Sequence, residues 1–179
     1  LQYKVERHDG VLLPCLEIFD WPALSVRGIA DDVSRGQIPT VESAKRFIRD
    51  ISRFKNNCYA LYMEDVFACS KHPEIGKDRG AFTTRELQEI DDYARSRFVT
   101  LLPILETLTH WDNILTIPEY RELGEFPGAQ CVALSENKVY PILRDFIEEI
   151  SPCFSSKTFH MGNDESFDLG HGKSKKAIQ

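Results

Sequence analysis

The chain has 179 residues, of which 42% are hydrophobic and 28% charged, and this composition is typical of one globular domain with a sizeable core. Its 22 basic and 28 acidic residues give a net charge of −6, and the longest basic cluster is the 173–176 tail, which argues against nucleic-acid binding. No apolar run reaches the roughly 18 to 20 residues of a membrane-spanning helix, which excludes a transmembrane protein. The five cysteines lack CxxC spacing, which argues against a disulfide scaffold or a thiolate zinc site.

The first 22 residues form an alternating, partly apolar stretch, which we interpret as the end of a preceding domain or a lead-in segment. The main domain is then expected over residues 23–179. The chain opens at Leu1 with neither an initiator methionine nor a signal-peptide pattern, so we expect a fragment whose N-terminus assigns no compartment.

Four short runs rich in β-branched or aromatic residues predict β-strands: Ser25–Ala30, Cys58–Met63, Phe98–Leu105 and Thr158–Gly162. The order β-α-β-α-β-α-β indicates parallel strands joined by right-handed crossovers. Four such units are half of an eight-stranded barrel, so the pattern fits either an open doubly wound sheet or half a barrel. Periodicity alone leaves both architectures open.

Three amphipathic patterns between these strands predict helices with one buried stripe each. The first stripe consists of Ala44, Phe47, Ile48, Ile51 and Phe54. Thr83 or Thr84 caps the second predicted helix, whereas Ser135 caps the third and Pro152 ends it.

Ionisable residues follow the carboxyl end of every predicted strand: Asp31, Asp32 and Arg35; Glu64 and Asp65; Glu106 and His110; Asp164 and Glu165. Because parallel strands end at one edge of a sheet, this convergence indicates an active site. Structural alternatives remain open for single residues. Asp65 is equally compatible with a helix cap, His110 with a loop histidine and Arg35 with a surface ion pair.

Motifs around the first and fourth predicted strands resemble family 20 glycoside hydrolases, the β-N-acetylhexosaminidases. They are Ile18-Phe19-Asp20-Trp21-Pro22 followed by Arg27-Gly28, Asp32 and Arg35, and His160-Met161-Gly162-Asn163-Asp164-Glu165. The second is similar to the family's H-x-G-x-D-E, with Asn163 in place of the usual glycine. The chain departs from the family pattern at Ala60-Leu61-Tyr62, Ile104 and Glu106. The combination of Tyr62–Phe67, Glu106–His110 and His160–Gly170 looks more like the divergent hexosaminidase D branch.

This resemblance implies an α/β fold, the (β/α)8 TIM barrel, of which the chain would cover about the first four βα units. It also implies removal of terminal non-reducing N-acetyl-β-hexosamine, GlcNAc or GalNAc, from glycans or glycoconjugates. The substrate's own 2-acetamido oxygen would attack the anomeric carbon. Glu165 would act as general acid and base, and Asp164 would orient the acetamido group.

The resemblance further implies that His110 hydrogen-bonds Glu165 and is held by Asp65, while Arg35 binds sugar hydroxyls. No metal and no cofactor are expected. Linkage, the choice between GlcNAc and GalNAc, and the oligomeric state are not specified by these motifs.

Two alternatives remain at this point. The protein could be a catalytically incomplete, hexosaminidase-like carbohydrate-binding protein, since the family's tyrosine and aromatic cage lie on later strands. For the same reason the fragment alone is expected to be inactive. A metal-dependent hydrolase could use His110, His160, Asp164 and His171, although no HxH or HExxH spacing supports it.

Overall fold

The computed structural model describes residue 15 and residues 17–178, which fold around a parallel β-sheet. Its strands, in spatial order, are β1 (Gly28–Asp32), β2 (Cys58–Met63) and β3 (Thr100–Leu105). Gly28 pairs with Cys58, and Cys58 pairs with Thr100, so the three strands begin level with one another. Their carboxyl ends therefore meet at one edge of the sheet.

Helices follow each strand, as the sequence predicts. Those among the described residues are α1 (Val41–Arg53), α2 (Thr84–Ser96), α3 (Asp112–Thr116), α4 (Val139–Ile150) and α5 (Lys175–Ile178), with 3-10 turns at Arg121–Leu123 and Ser151–Cys153. Within this part of the chain, no helix has the length and hydrophobicity needed to cross a membrane.

Threonine side chains cap the first two helices. The Oγ1 of Thr40 accepts a hydrogen bond from the backbone N of Ser43 at 3.2 Å. The Oγ1 of Thr83 accepts one from the backbone N of Glu86, and the Glu86 carboxylate accepts one from the backbone N of Thr83, which completes a capping box. The structure thus selects Thr83 over Thr84 as the cap of α2.

The hydrophobic core lies between one face of the sheet and the helices. Tyr59, Leu61 and Met63 alternate along β2 and are buried in one cluster with Ile48 of α1 and Leu87 of α2. On the opposite face of the sheet, the large side chains of Tyr62 and Ile104 are only partly buried. The helices therefore cover a single face of the described sheet.

The fourth predicted strand forms only an isolated parallel bridge between His160 and Ile104 of β3. The backbone N of Leu105 donates to the His160 carbonyl, and the backbone N of His160 donates to the Pro103 carbonyl, both at 3.0 Å. The direction matches the prediction, but no ladder forms, because Gly162 turns to a φ of +67° two residues later. Coverage of four complete units remains a prediction.

Several boundary predictions are wrong. The first strand was expected over Ser25–Ala30 but forms over Gly28–Asp32, and the third begins at Thr100 rather than at Phe98. Phe54 was expected in the buried stripe of the first helix, but α1 ends at Arg53 and the Phe54 side chain is 81% exposed. Ser135 was expected to cap the third helix, but α4 begins at Val139. The backbone N of Ser135 instead donates to Ser174 Oγ at 3.1 Å.

The capping box predicts a measurable contribution to stability. Thr83→Ala should lower the free energy of unfolding by about 1 kcal/mol, because the backbone N of Glu86 loses its acceptor. Thr83→Ser keeps the hydroxyl and should retain most of that stability. As a matched control, Thr84→Ala at the first helical position should change it by less than about 0.5 kcal/mol. Urea unfolding followed by circular dichroism measures all three, and equal losses for Thr83→Ala and Thr84→Ala would contradict the capping role.

Candidate active site

Ionisable side chains from all four segments that leave the sheet gather at its carboxyl edge. They are Asp32 at the end of β1 and Arg35 after it, Glu64 and Asp65 after β2, Glu106 and His110 after β3, and Asp164 and Glu165 after the His160 bridge. The contacts described below link most of them into one network. The level start of the strands brings them together from distant positions in the sequence.

His110 lies at the centre of this network and is 6% exposed. Its Nδ1 is 3.4 Å from Glu64 Oε1, and its Nε2 is 3.5 Å from Glu165 Oε2 and 3.9 Å from Asp164 Oδ2. The Tyr62 ring stands at 78° to the imidazole, with 6.3 Å between the ring centroids. Within the described part of the chain, Nε2 has no hydrogen-bond partner, so it is available to the two carboxylates.

Glu64 connects His110 to Arg35. The Glu64 Oε1 atom lies 2.6 Å from Arg35 Nη1, and the backbone N of Glu64 donates to Ser34 Oγ at 2.9 Å. Arg35 Nε also lies 3.2 Å from Asp32 Oδ2. Burial raises the pKa of Glu64, against the opposing effects of Arg35 and His110. Two carboxylates thus hold the Arg35 guanidinium at the carboxyl edge of the sheet, and 56% of the side chain remains exposed.

The sequence interpretation expected Asp65 to contact His110, but the structure pairs Asp65 with a different residue. Asp65 is 3% exposed, and its Oδ2 lies 2.8 Å from Arg79 Nε. Successive residues at a strand end point to opposite sides, so Glu64 and Asp65 cannot both face the histidine. Glu64 occupies that position instead, and Asp65 points toward the loop that carries Arg79.

Glu106 is the most deeply buried carboxylate of the group, at 1% exposure. Its Oε2 accepts hydrogen bonds from the backbone N of Asn163 at 2.9 Å and from Thr109 Oγ1 at 2.7 Å. Its Oε1 has no partner among the described residues. Burial raises the pKa of Glu106, and the neighbouring Asp164 raises it further. Gly162 permits this packing, because a Cβ there would collide with the Glu106 carboxyl group.

The loop that carries Asp164 and Glu165 has an unusual backbone and specific anchors. Asn163 and Glu165 adopt left-handed φ values of +81° and +50°. The side chain of Gln130 donates to the Glu165 carbonyl at 2.9 Å, and its backbone N donates to Asp168 Oδ2 at 2.7 Å. The side chains of Asp164 and Glu165 remain 62% and 57% exposed, so a ligand can reach both.

Glu106, His110 and Asp164 each offer one ligand atom, and these atoms lie within 4.8 Å of one another. This arrangement could hold a divalent cation, which the sequence interpretation did not expect. The other histidines of the metal alternative are not in this group. The Nδ1 of His160 accepts a hydrogen bond from the backbone N of Gly162 at 3.1 Å.

Several contacts of the site were not predicted from the sequence, although Glu64 and Glu106 were named among the ionisable residues that follow the strands. Glu64 stands beside Asp65, and the alternation of side chains at a strand end is the signal that separates the two. Glu106 follows β3 directly, yet no spacing rule pairs it with Asn163. Arg79 and Gln130 lie within long loops, and no local sequence pattern links them to the site.

Comparison with known proteins supplies the family. Residues 24–179 match the profile described as "Glycosyl hydrolase family 20, catalytic domain". The chain belongs to this family. The resemblance seen in the sequence is thereby confirmed over most of the chain, and the parallel sheet is part of a TIM-barrel domain.

Family 20 relatives match at moderate identity. A beta-hexosaminidase from Porphyromonas gingivalis is 29% identical over 196 residues, covering 92% of this chain and 25% of the relative. Hexosaminidase D from Bos taurus is 25% identical over 124 residues, covering 67% of this chain and 35% of the relative. The chain therefore spans only about a quarter to a third of their lengths.

Solved family 20 structures agree with the fold. A chitobiase from Flavobacterium johnsoniae superposes with a TM-score of 0.75 at 27% identity, over 83% of this chain and 25% of that chain. An N-acetyl-beta-hexosaminidase from Streptomyces plicatus gives a TM-score of 0.69 at 25% identity, over 81% of this chain and 34% of that chain.

The buried carboxyl group of Glu106 predicts a specific pH dependence. Because its pKa is raised in the fold, the folded protein binds this proton more tightly than the unfolded chain. Its contribution to stability is full below the unfolded pKa of about 4.3 and is lost as the pH rises through the folded pKa. Glu106→Gln keeps the shape without a charge, so it should raise Tm relative to the wild type at neutral pH.

That gain should shrink as the pH falls to about 4, where the wild-type carboxyl group is also protonated. Thermal unfolding across this pH range provides the measurement. A Glu106→Gln protein that is less stable than the wild type at neutral pH would show that the ionised carboxylate is favoured in the fold.

Proposed function

We propose that the full-length protein is a β-N-acetylhexosaminidase that removes terminal non-reducing N-acetyl-β-hexosamine from glycans or glycoconjugates. The observation that carries the proposal is the approach of His110 Nε2 to both Glu165 and Asp164, with Glu64 on its other nitrogen. The family membership and the beta-hexosaminidase names of relatives support it. Because the chain spans only part of those relatives, the proposal concerns the whole protein.

In the first step, the 2-acetamido oxygen of the substrate attacks the anomeric carbon and the bond to the glycosidic oxygen breaks. Glu165 donates its proton to that oxygen, so the leaving group departs as an alcohol. Asp164 accepts a hydrogen bond from the acetamido N–H and stabilises the positive charge of the oxazolinium ion. No carboxylate nucleophile is required.

In the second step, water attacks the anomeric carbon and the bond to the acetamido oxygen breaks. Glu165, now ionised, accepts the proton of that water and returns to its acid form. The sugar leaves with the configuration of the substrate, because both displacements invert the same carbon. The exposure of the two carboxylates supports access of substrate and water.

Two buried residues flank the proposed catalytic pair. Burial raises the pKa of Glu106, and the neighbouring Asp164 raises it further. A protonated Glu106 adds no negative charge beside Asp164, the residue proposed to face the oxazolinium ion. On the other side, His110 orients Glu165 and is itself oriented by Glu64.

Arg35 is the proposed sugar-binding residue. Its ion pairs with Glu64 and Asp32 hold the guanidinium at the carboxyl edge, and its partial exposure leaves donors for the sugar hydroxyls. Asp65 is proposed to act on the site indirectly, through its ion pair with Arg79, rather than by contact with His110. No metal is assigned a role in this mechanism.

The binding-only alternative is not favoured, because the two candidate catalytic acids and the histidine stand together in one group. We still expect the 179-residue chain to be inactive on its own, since it spans about a quarter of the Porphyromonas relative. Activity is therefore tested on the full-length protein.

Two substitutions separate the proposed roles of the acids. Glu165→Gln removes the proton donor, so kcat should fall by about 10²- to 10⁴-fold on a methyl N-acetyl-β-glucosaminide. The same variant should be only partly spared on a dinitrophenyl N-acetyl-β-glucosaminide, whose leaving group needs little protonation, because the second step still lacks its base. Asp164→Asn removes the charge opposite the oxazolinium ion and should lower kcat on both substrates.

Asp92→Asn is a matched control, because Asp92 is a surface acid on α2 that contacts only Arg95 among the described residues. It should leave both rates unchanged. Equal losses for Glu165→Gln on the two leaving groups, or a fully active Asp164→Asn, would contradict the assigned roles.

A further inference from the structure

We infer that Arg79 is a positioning residue for the proposed catalytic acid. It acts through Asp65 and through the segments that follow β1 and β2, and these segments in turn position Glu64 and His110. The inference rests on the proposed function. Its Nε lies 2.8 Å from Asp65 Oδ2, and its guanidinium also donates to the Ser34 carbonyl at 3.3 Å. One side chain thus bridges the segments that leave two neighbouring strands.

The loop that carries Arg79 is fixed at both ends. The backbone N of Phe82 donates to the Val66 carbonyl at 2.8 Å, and the backbone N of Ala68 donates to the Phe82 carbonyl at 2.9 Å. Inside the loop, Gly76 has a φ of +72°, and a Cβ at this position would collide with the Asp65 carbonyl. The loop therefore packs directly against the Asp65 backbone.

Asp65 depends on Arg79 for charge compensation. Its carboxylate is 3% exposed, and its Oδ1 has no hydrogen-bond partner within the described residues. Burial raises the pKa of Asp65, and the Arg79 charge and a hydrogen bond from the Asn113 side chain oppose this shift. Removal of the guanidinium would leave a buried carboxylate without its cation, which favours uptake of a proton or movement toward water.

Ser34 carries the effect of Arg79 to the site. It is buried between the ends of β1 and β2, and its Oγ accepts the hydrogen bond from the backbone N of Glu64 at 2.9 Å. Glu64 in turn lies 2.6 Å from Arg35 Nη1 and 3.4 Å from His110 Nδ1. A shift of Ser34 or Asp65 therefore moves the carboxylate that orients His110, and with it the contact to Glu165.

Three variants of the full-length protein test this inference. Arg79→Met keeps much of the side-chain volume without the cation. Arg79→Lys keeps the cation without the planar guanidinium, whose Nε and Nη2 reach Asp65 and the Ser34 carbonyl from two separate atoms. Lys77→Met is the matched control, because Lys77 lies in the same loop and pairs with Glu74 on the surface. Each is assayed on methyl and dinitrophenyl N-acetyl-β-glucosaminides, and the crystal structure of Arg79→Met is determined.

Arg79→Met should lower kcat on the methyl glycoside by about tenfold or more, since misplacement of a catalytic group by 1 Å costs about 10²-fold. The loss should be smaller on the dinitrophenyl glycoside, because the affected group is the acid. Arg79→Lys should recover part of the activity, and Lys77→Met should match the wild type. In the Arg79→Met structure, Glu64 should move away from His110.

Either of two results would overturn the inference. One is an Arg79→Met protein whose kcat falls equally on both glycosides, and the other is an Arg79→Met structure in which Glu64 and His110 keep their positions. A full-length wild type that cleaves no N-acetylhexosaminide would overturn the proposed function instead. In that case the Arg79→Met structure still decides whether Arg79 positions Glu64 and His110.

Discussion

Three carboxylates almost fully shielded from water, Glu64, Asp65 and Glu106, impose the main physical constraint on this structure. A buried ionised carboxylate is costly unless a cation or hydrogen-bond donors compensate it. Arg35 compensates Glu64 and Arg79 compensates Asp65, whereas Glu106 accepts hydrogen bonds from two donors. Burial raises the pKa of all three carboxyl groups. The contacts of Glu64 with His110 and of Glu106 with Thr109 then position the histidine and the loop after β3.

The parallel sheet makes this concentration of charge possible. Its strands start level, so residues from four distant parts of the chain end at one edge with little freedom of position. The helices pack against one face of the sheet and bury Ile48, Leu87 and Ile150 in the core. The core thus stabilises the fold, and the charged residues of the candidate active site lie at the carboxyl edge of the sheet.

Much of this organisation could be predicted from the sequence because it depends on local patterns. The β2 limits and the parallel order were predicted correctly, and Thr83 was one of the two threonines expected to cap α2. The partner of His110 could not be predicted, since only side-chain alternation in three dimensions places Glu64 rather than Asp65 beside it. Arg79 was missed for a related reason, because its partners are brought to it by a loop whose path depends on packing at Gly76.

The central claim is that the substrate's own acetamido oxygen is the nucleophile, with Asp164 and Glu165 serving it. The most direct test compares kcat/KM of the full-length protein for a dinitrophenyl N-acetyl-β-glucosaminide and the corresponding β-glucoside, which has a 2-hydroxyl group. The account predicts cleavage of the first and no detectable cleavage of the second, since the glucoside lacks the nucleophile. Equal cleavage of both would contradict substrate-assisted hydrolysis at this site.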